Sequence, residues 1–246
     1  APEEPPEPEP TMDDAAREAK WQCARTHRQR MLLALPALLT VIVAVIDGLD
    51  VLSQGWYDHV WLRCGIPAGL LILCLLLCPH LWQEAWEHLR HGRVTAPAAA
   101  LLCGLVALAD SAWCLFLGNC PNLPFAAPAA ALLYLCVCGQ YRAARARYDS
   151  FRLAQLGGVP PYVASVTAAG ACKQQGRLEG FYRLWQSPDP AARWQPILTP
   201  LYLALATVLA LVAALAGHQM NRFLWLWSAL LSATVPLSLP LSGTLP

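Results

Sequence analysis

Six long apolar stretches divide this sequence, and they constrain its fold more than any other feature. A helix needs about 20 mainly apolar residues to cross the roughly 30 Å of hydrocarbon in a bilayer. The stretches lie at about residues 31–46 (continuing into 48–52), 61–78, 96–117, 123–139, 197–216 and 223–246. Only 13% of the chain is charged, against about 25% in typical soluble domains. We therefore expect an all-α polytopic membrane protein with six transmembrane helices.

The positive charges indicate which loops face the cytoplasm, because Lys and Arg are enriched in cytoplasmic loops. They collect before the first stretch, between the second and third, and between the fourth and fifth. Only Arg63 and Arg222 fall on the opposite side, where Asp47, Asp50 and Asp58 also lie. This distribution predicts an integral protein of a bacterial-type plasma membrane, with both its N- and C-termini in the cytoplasm.

The polar segments divide the chain into regions. Residues 1–30 form an acidic, proline-rich tail, too poor in apolar side chains to fold, and a basic lead-in. Residues 31–140 are expected to form a four-helix membrane region. Within it, residues 80–91 place apolar side chains at helical spacing, which predicts an amphipathic helix on the membrane surface. Residues 141–195 form a small cytosolic insertion that contains the strand-like PYVASVT, and residues 196–246 form a transmembrane hairpin.

The last apolar stretch ends in VPLSLPLSGTLP, which is rich in proline. Proline lacks a backbone donor and clashes with the preceding helical turn. We therefore expect a helix from about Phe223 to Ala233 and a break between Val235 and Pro240. Transporters use carbonyls freed at such breaks to coordinate ions. A kinked packing helix without a ligand is the alternative.

The proline stretch resembles the unwound ion-site helix of P-type ATPases. In many ion pumps of that family the helix reads Pro-Glu-Gly-Leu-Pro, followed by Thr-Leu. The matching residues here are Pro236, Leu239, Pro240, Thr244 and Leu245. In the heavy-metal pumps it reads Cys-Pro-Cys, with Pro236 at the proline. The order of parts is also similar: two extra helices, an amphipathic platform, two core helices, an actuator insertion and a hairpin.

This resemblance implies the membrane portion of a heavy-metal-pump-like P-type ATPase, with cation transport as the inherited role. It implies that the insertion at 141–195 is a reduced actuator. It also implies an ion-site-like helix break formed by Pro236, Ser238, Pro240 and Thr244.

Several positions depart from the family's pattern. Leu237 stands where one subfamily has its liganding Glu, and Val235 and Leu237 stand where the other has its two Cys. The actuator's Thr-Gly-Glu and the phosphorylation motif Asp-Lys-Thr-Gly are absent from this sequence. We therefore expect a degenerate or truncated relative that hydrolyses no ATP by itself. A catalytic domain following Pro246 would make it part of a pump.

Asp110, Cys136 and Cys138 are candidate metal-binding residues within the spans. A carboxylate inside a membrane is costly and is by default a functional candidate. The alternatives are that Asp110 lies near the outer interface, or that it pairs with a hydroxyl or with Arg222. Cys136 and Cys138 offer soft ligands for Cu(I) or Zn(II), although residues i and i+2 of a helix do not face each other. The alternative is that both are small apolar packing residues.

The sequence leaves a second function open, that of a non-enzymatic multi-pass membrane protein that binds a partner or helps assembly. An intramembrane serine protease is disfavoured, because His218 and Ser242 are expected at opposite membrane faces, out of hydrogen-bond reach. The net charge of +1 gives no indication of nucleic-acid binding. The expected partners are the lipid bilayer, a cation, and a catalytic domain or partner protein. No cofactor is indicated.

Overall fold

In the part that the structure describes, the chain forms eight α-helices and one β-hairpin. The computed structural model describes residues 12–50, 54–120, 122–155, 162–167, 170–175, 194–218 and 220–238. The helices are α1 (Met12–Gly48), α2 (Gln54–Asp58), α3 (Val60–Leu76), α4 (Pro79–Arg90), α5 (Ala96–Leu117), α6 (Ala126–Gln155), α7 (Gln195–Ala216) and α8 (Phe223–Thr234). Strands β1 (Tyr162–Thr167) and β2 (Gly170–Gln175) pair antiparallel. The strand-like PYVASVT thus supplies β1. Short 3₁₀ turns cover Met220–Arg222 and Val235–Ser238.

Three of the described helices, α1, α5 and α7, are long and apolar enough to cross a membrane. A fourth span is present if α3 and α4, which are bent by 68° relative to each other, count as one broken span. This supports a helical membrane protein, with fewer qualifying helices than the six that the apolar stretches predict. α6 turns polar at Gln140 and Arg142, and α8 has only 12 residues. The full set of six spans therefore stays a prediction.

α4 begins at Pro79 and turns sharply away from α3, as the sequence predicts. Proline suits the first turn of a helix because its missing N–H would be unpaired there. Leu81 and Ala85 are buried against the protein, whereas the side chains of Trp82 and Trp86 are exposed. Rings of this kind favour the membrane–water interface, which fits an amphipathic surface helix.

α1 and α6 extend past the predicted spans and pack along each other. α1 is a single helix of 37 residues, so the basic lead-in continues into the first span without a break. Ala16, Ala19 and Phe151 form a small buried cluster between the two extensions. We call these extensions, residues 12–30 of α1 and 141–155 of α6, the basic stalk.

α5 is the central helix of the bundle and contacts α3, α4, α6, α7 and α8. Its buried face consists mainly of small residues, namely Ala96, Ala99, Ala100, Cys103, Gly104 and Ala107. Small residues let helices approach closely in a membrane, where packing replaces the hydrophobic effect as the cause of association. At Gly104 the approach of α3 is close, because a Cβ there would lie 3.3 Å from Cδ2 of Leu75.

The candidate residues are distributed between two ends of the bundle. The α2 end carries α2, the loop between α5 and α6, and the connection from α7 to α8; the α4 end carries α4 and the basic stalk. At the α2 end, Asp47 is buried and accepts hydrogen bonds from Nε and Nη2 of Arg63, both at 3.1 Å. Nε1 of Trp56 donates to the same carboxylate at 2.7 Å. This pairing neutralises one of the two basic residues that lie away from the predicted cytoplasmic loops.

Candidate ion site at the proline break of the last helix

The α-helical geometry of α8 ends at Thr234, and a 3₁₀ turn covers Val235–Ser238. Pro236 has no N–H to donate to the carbonyl of Ser232, four residues earlier, so the α-helical hydrogen-bond pattern cannot continue there. The chain changes from α-helix to a 3₁₀ turn at Val235. The predicted break between Val235 and Pro240 stays a prediction, because Leu239 and Pro240 lie outside the described residues.

Of the four residues in the predicted ion-site-like break, only Pro236 can be described in full, and its side chain is half-buried. The backbone of Ser238 belongs to the 3₁₀ turn, but its side chain is not described. Pro240 and Thr244 lie outside the described residues. A liganding role for these three residues stays a prediction.

Apolar side chains surround the described part of the break. Leu231 and Val235 are buried in the main core, and the 3₁₀ turn packs against α5 and α7. One thiol is close, because Sγ of Cys103 on α5 lies 3.4 Å from Oγ of Ser232. The same hydroxyl donates to the carbonyl of Ser228 at 2.8 Å. One thiol and one hydroxyl are too few for a closed soft-metal site, since structural Zn(II), for example, takes four ligands.

Two buried hydroxyls lie on segments that lead into the same region. Oγ1 of Thr95, immediately before α5, and Oγ1 of Thr199, near the start of α7, have no hydrogen-bond partner among the described residues. An unsatisfied buried polar group costs about 1–3 kcal/mol. These two oxygens are therefore candidate ligands for a cation, or hydrogen-bond partners for water, near the α4 end.

Asp110 lies at the α2 end, away from the break. On α5 it is about two turns, or about 10 Å, from Cys103. Its carboxyl group is buried, and Oδ2 has no hydrogen-bond partner among the described residues. It lines a cavity of about 150 Å³ together with Cys114, Arg222 and Trp225. Asp110 and Arg222 thus line the same cavity, and Asp110 does not lie at Pro236. The pairing of Asp110 with Arg222 stays a prediction.

Cys136 and Cys138 occupy different environments on α6. Cys136 is buried in the main core, whereas Cys138 is half-buried. This difference follows from their i, i+2 spacing, which sends side chains to different faces of a helix. Within the described ranges, no group of three metal-binding side chains includes Asp110, Cys136 or Cys138.

Three cysteines that the sequence does not single out as a set come together at the α2 end. The Sγ atoms of Cys64, Cys114 and Cys120 all lie within 4.8 Å of one another, and all three side chains are buried. The signal for this group is topological. Cys64 begins the second predicted span, Cys114 ends the third, and Cys120 follows in the next loop, so all three belong at one membrane face. Which helices are neighbours at that face is not written in the local sequence.

Comparison of the chain with models of protein families, with curated proteins and with solved structures found no match. Its function is therefore inferred from its own residues. The relevant features are the break in α8, the thiol beside it, and the polar groups at the α2 end.

Proposed function

We propose that this chain is the membrane portion of a P-type ATPase-like protein, with cation transport, of the heavy-metal kind, as its inherited role. The order of elements supports this proposal. The long helices α1 and α3, with the short α2 between them, and the surface helix α4 precede the pair α5 and α6. An insertion with a β-hairpin follows, and the α7–α8 hairpin comes last. The same order is typical of the membrane region of heavy-metal pumps.

The observation that carries the proposal is the change of helical geometry at Pro236, next to a thiol. In the family that the sequence resembles, the corresponding helix is unwound at the ion site. Here the 3₁₀ turn Val235–Ser238 packs against α5, whose Cys103 contacts Ser232 one turn earlier. The carbonyl of Ser232 is the one that Pro236 leaves without its helical partner. A freed carbonyl and a thiol are groups with which a transporter can bind a passing cation.

The proposal includes the six-span topology, with both termini in the cytoplasm of a bacterial-type cell. The basic stalk would then lie on the cytoplasmic side, in accord with the positive-inside rule. Single-cysteine accessibility mapping in a cysteine-free background tests this arrangement. We expect a single cysteine at position 150 to be labelled from the cytoplasmic side and one at position 58 to be labelled from outside. Labelling of both positions from the same side would contradict it.

Catalysis by this chain alone is not part of the proposal, since Thr-Gly-Glu and Asp-Lys-Thr-Gly are absent from its sequence. The purified chain is expected to show no vanadate-sensitive ATP hydrolysis. Hydrolysis that co-purifies with the chain through successive columns would contradict this expectation.

The test of the transport role uses the protein encoded by the complete gene, reconstituted in liposomes. We expect ATP hydrolysis that Cu(I) or Zn(II) stimulates, and we expect Cys103→Ser to reduce the stimulation at least tenfold. Cys23→Ser, in the basic stalk, is the matched control and should leave it unchanged. Absence of metal-stimulated hydrolysis in the complete protein would remove the transport role and favour the second function.

A non-enzymatic role in partner binding or assembly is the second function, and one cavity favours it. A cavity of about 470 Å³ lies between α1, α4 and α6, and Trp21, Arg25, His80 and Arg147 are among its lining residues. Burial, and secondly the charge of Arg25, lower the pKa of the His80 imidazole. The two guanidinium groups outnumber the one carboxyl group in the lining, that of Glu84, so the cavity suits an anionic partner. Under this reading, Arg25→Glu together with Arg147→Glu abolishes co-purification of a partner that wild-type protein retains.

A further inference from the structure

We propose that Cys64, Cys114 and Cys120 form a binding site for a soft metal cation, Cu(I) in the first place, at the α2 end of the bundle. This site is separate from the break at Pro236 and does not depend on the proposed transport role. It uses different residues, at the opposite end of α8.

The spacing of the three sulfur atoms fits one ion. All three Sγ atoms lie within 4.8 Å of one another. A metal–sulfur bond is about 2.3 Å long, so three sulfurs arranged in a plane around one ion stand about 4 Å apart. Small side-chain rotations therefore suffice to bring the three thiols into contact with a common cation. The ligands come from α3, from α5 and from the loop before α6, so the fold itself holds them together.

The backbone near Cys120 is fixed by the element that carries Cys64. Arg63, next to Cys64 in sequence, donates from Nη1 to the carbonyl of Cys120 at 3.0 Å. The same guanidinium is held by the buried carboxylate of Asp47. Gly118, with φ of +63°, ends α5 in the left-handed conformation that glycine adopts without strain and turns the chain back toward the bundle. The backbone at Cys120 is thus tied to the helix that carries Cys64.

The chemistry of the donors selects the class of cation. Thiolates favour Cu(I) and Zn(II), whereas Ca²⁺ and Mg²⁺ require oxygen ligands. The described group contains three thiols and no imidazole or carboxylate. Structural Zn(II) sites are almost always closed by four ligands, so a three-thiol group suits Cu(I) better. Metal binding must displace thiol protons, including the one with which Cys120 Sγ donates to the carbonyl of Asn122 at 3.1 Å. The nearby Arg63 guanidinium favours the resulting thiolates.

The test is Cu(I) titration of the full chain, purified in detergent under reducing, oxygen-free conditions, against a chromophoric Cu(I) chelator. Wild-type protein is expected to take one Cu(I) from the chelator and to develop ultraviolet sulfur-to-copper absorption. Each of Cys64→Ser, Cys114→Ser and Cys120→Ser should weaken binding at least tenfold. Cys23→Ser is the matched control, because it removes a thiol in the basic stalk, away from both sites, and should change the affinity less than twofold.

Three outcomes would overturn the proposal. One is equal Cu(I) affinity in wild-type protein and in the triple serine variant. Another is a disulfide between any two of the three cysteines in protein isolated from membranes without reductant, detected by mass spectrometry of peptides. The third is the absence of the ultraviolet absorption band in wild-type protein. This band is measured on wild-type protein, so it tests the site even if a serine variant fails to fold. ATP hydrolysis is not measured in this test, so failure of the transport role remains distinguishable from failure of the thiol site.

Discussion

The break at Pro236 and the cluster of three cysteines at the α2 end, which we call the thiol group, differ in how well the local sequence predicts them. The break has a recognisable local sequence, yet the described side chains around it are mainly apolar, and one thiol, Cys103, stands beside it. The thiol group has no local motif, yet it gathers Cys64, Cys114 and Cys120 within 4.8 Å. The comparison teaches that a local motif predicts where a helix changes geometry, whereas tertiary packing determines which possible metal ligands come together.

α5 connects the two regions, because it supplies a residue to each. Cys103 faces α8 near the break, and Cys114, about three turns later, faces α3 at the other end. Changes along or beside this helix can therefore alter one region and leave the other intact. Of the three predictions below, two use such changes and one disturbs packing that both regions share; they follow in order of decreasing expected effect.

The largest effect is expected for Asp47→Ala, which should disturb the α2 end alone. Removing one partner of a buried ion pair leaves an uncompensated charge and costs about 3–5 kcal/mol. Because Arg63 also holds the carbonyl of Cys120, Cu(I) binding at the thiol group should weaken together with the free energy of unfolding. Thermal unfolding in detergent and Cu(I) titration measure the two effects. Asp58→Ala, at an exposed site, should change stability by less than about 0.5 kcal/mol; equal effects of the two substitutions would contradict the role of the pair.

An intermediate effect is expected for Gly104→Val, which should loosen the packing that both regions share. The new Cβ would meet Leu75 at 3.3 Å, and the added methyl groups would overpack the contact of α5 with α3. Overpacking of this kind costs about 1–3 kcal/mol. Gly69→Val is the control, because nothing lies within 4 Å of a Cβ at that position. If both valine variants melt at the wild-type temperature, α5 is not packed as described.

The smallest effect is expected for Pro236→Ala, which should change the break and leave the thiol group unaltered. Alanine restores an N–H that can donate to the carbonyl of Ser232, and one such hydrogen bond contributes about 1 kcal/mol. We therefore expect a slight gain in stability and new amide protection near residue 236 by hydrogen exchange. Cu(I) affinity at the α2 end should stay the same. A large loss of stability would mean that the proline conformation is required by packing.

Much of the fold follows from one-dimensional patterns. Apolar length predicts α1, α5 and α7, the spacing of Trp82 and Trp86 predicts α4, and Pro236 predicts the end of α8. These features depend on residues close in sequence. The continuity of α1 through its basic segment is harder to foresee, because it is stabilised by packing against α6, more than 100 residues away.

The sites depend on helix neighbours, which a single sequence does not reveal. The depth of Asp110 in its span is readable from the sequence, but its place in one cavity with Trp225 requires the packing of α5 on α8. Cys64 and Cys114 belong to different helices and meet only because α3 packs on α5. For the same reason the unpaired hydroxyls of Thr95 and Thr199 have no counterpart in the sequence pattern.

The most direct test of the comparison is X-ray absorption spectroscopy of the Cu(I)-loaded full chain, which counts the sulfur ligands and measures their distance. The account predicts three sulfurs at about 2.3 Å in wild-type protein. It predicts an unchanged sulfur shell in Cys103→Ser, and fewer sulfurs in Cys114→Ser. A sulfur shell that is lost in Cys103→Ser and kept in Cys114→Ser would place the metal at the break and contradict the account.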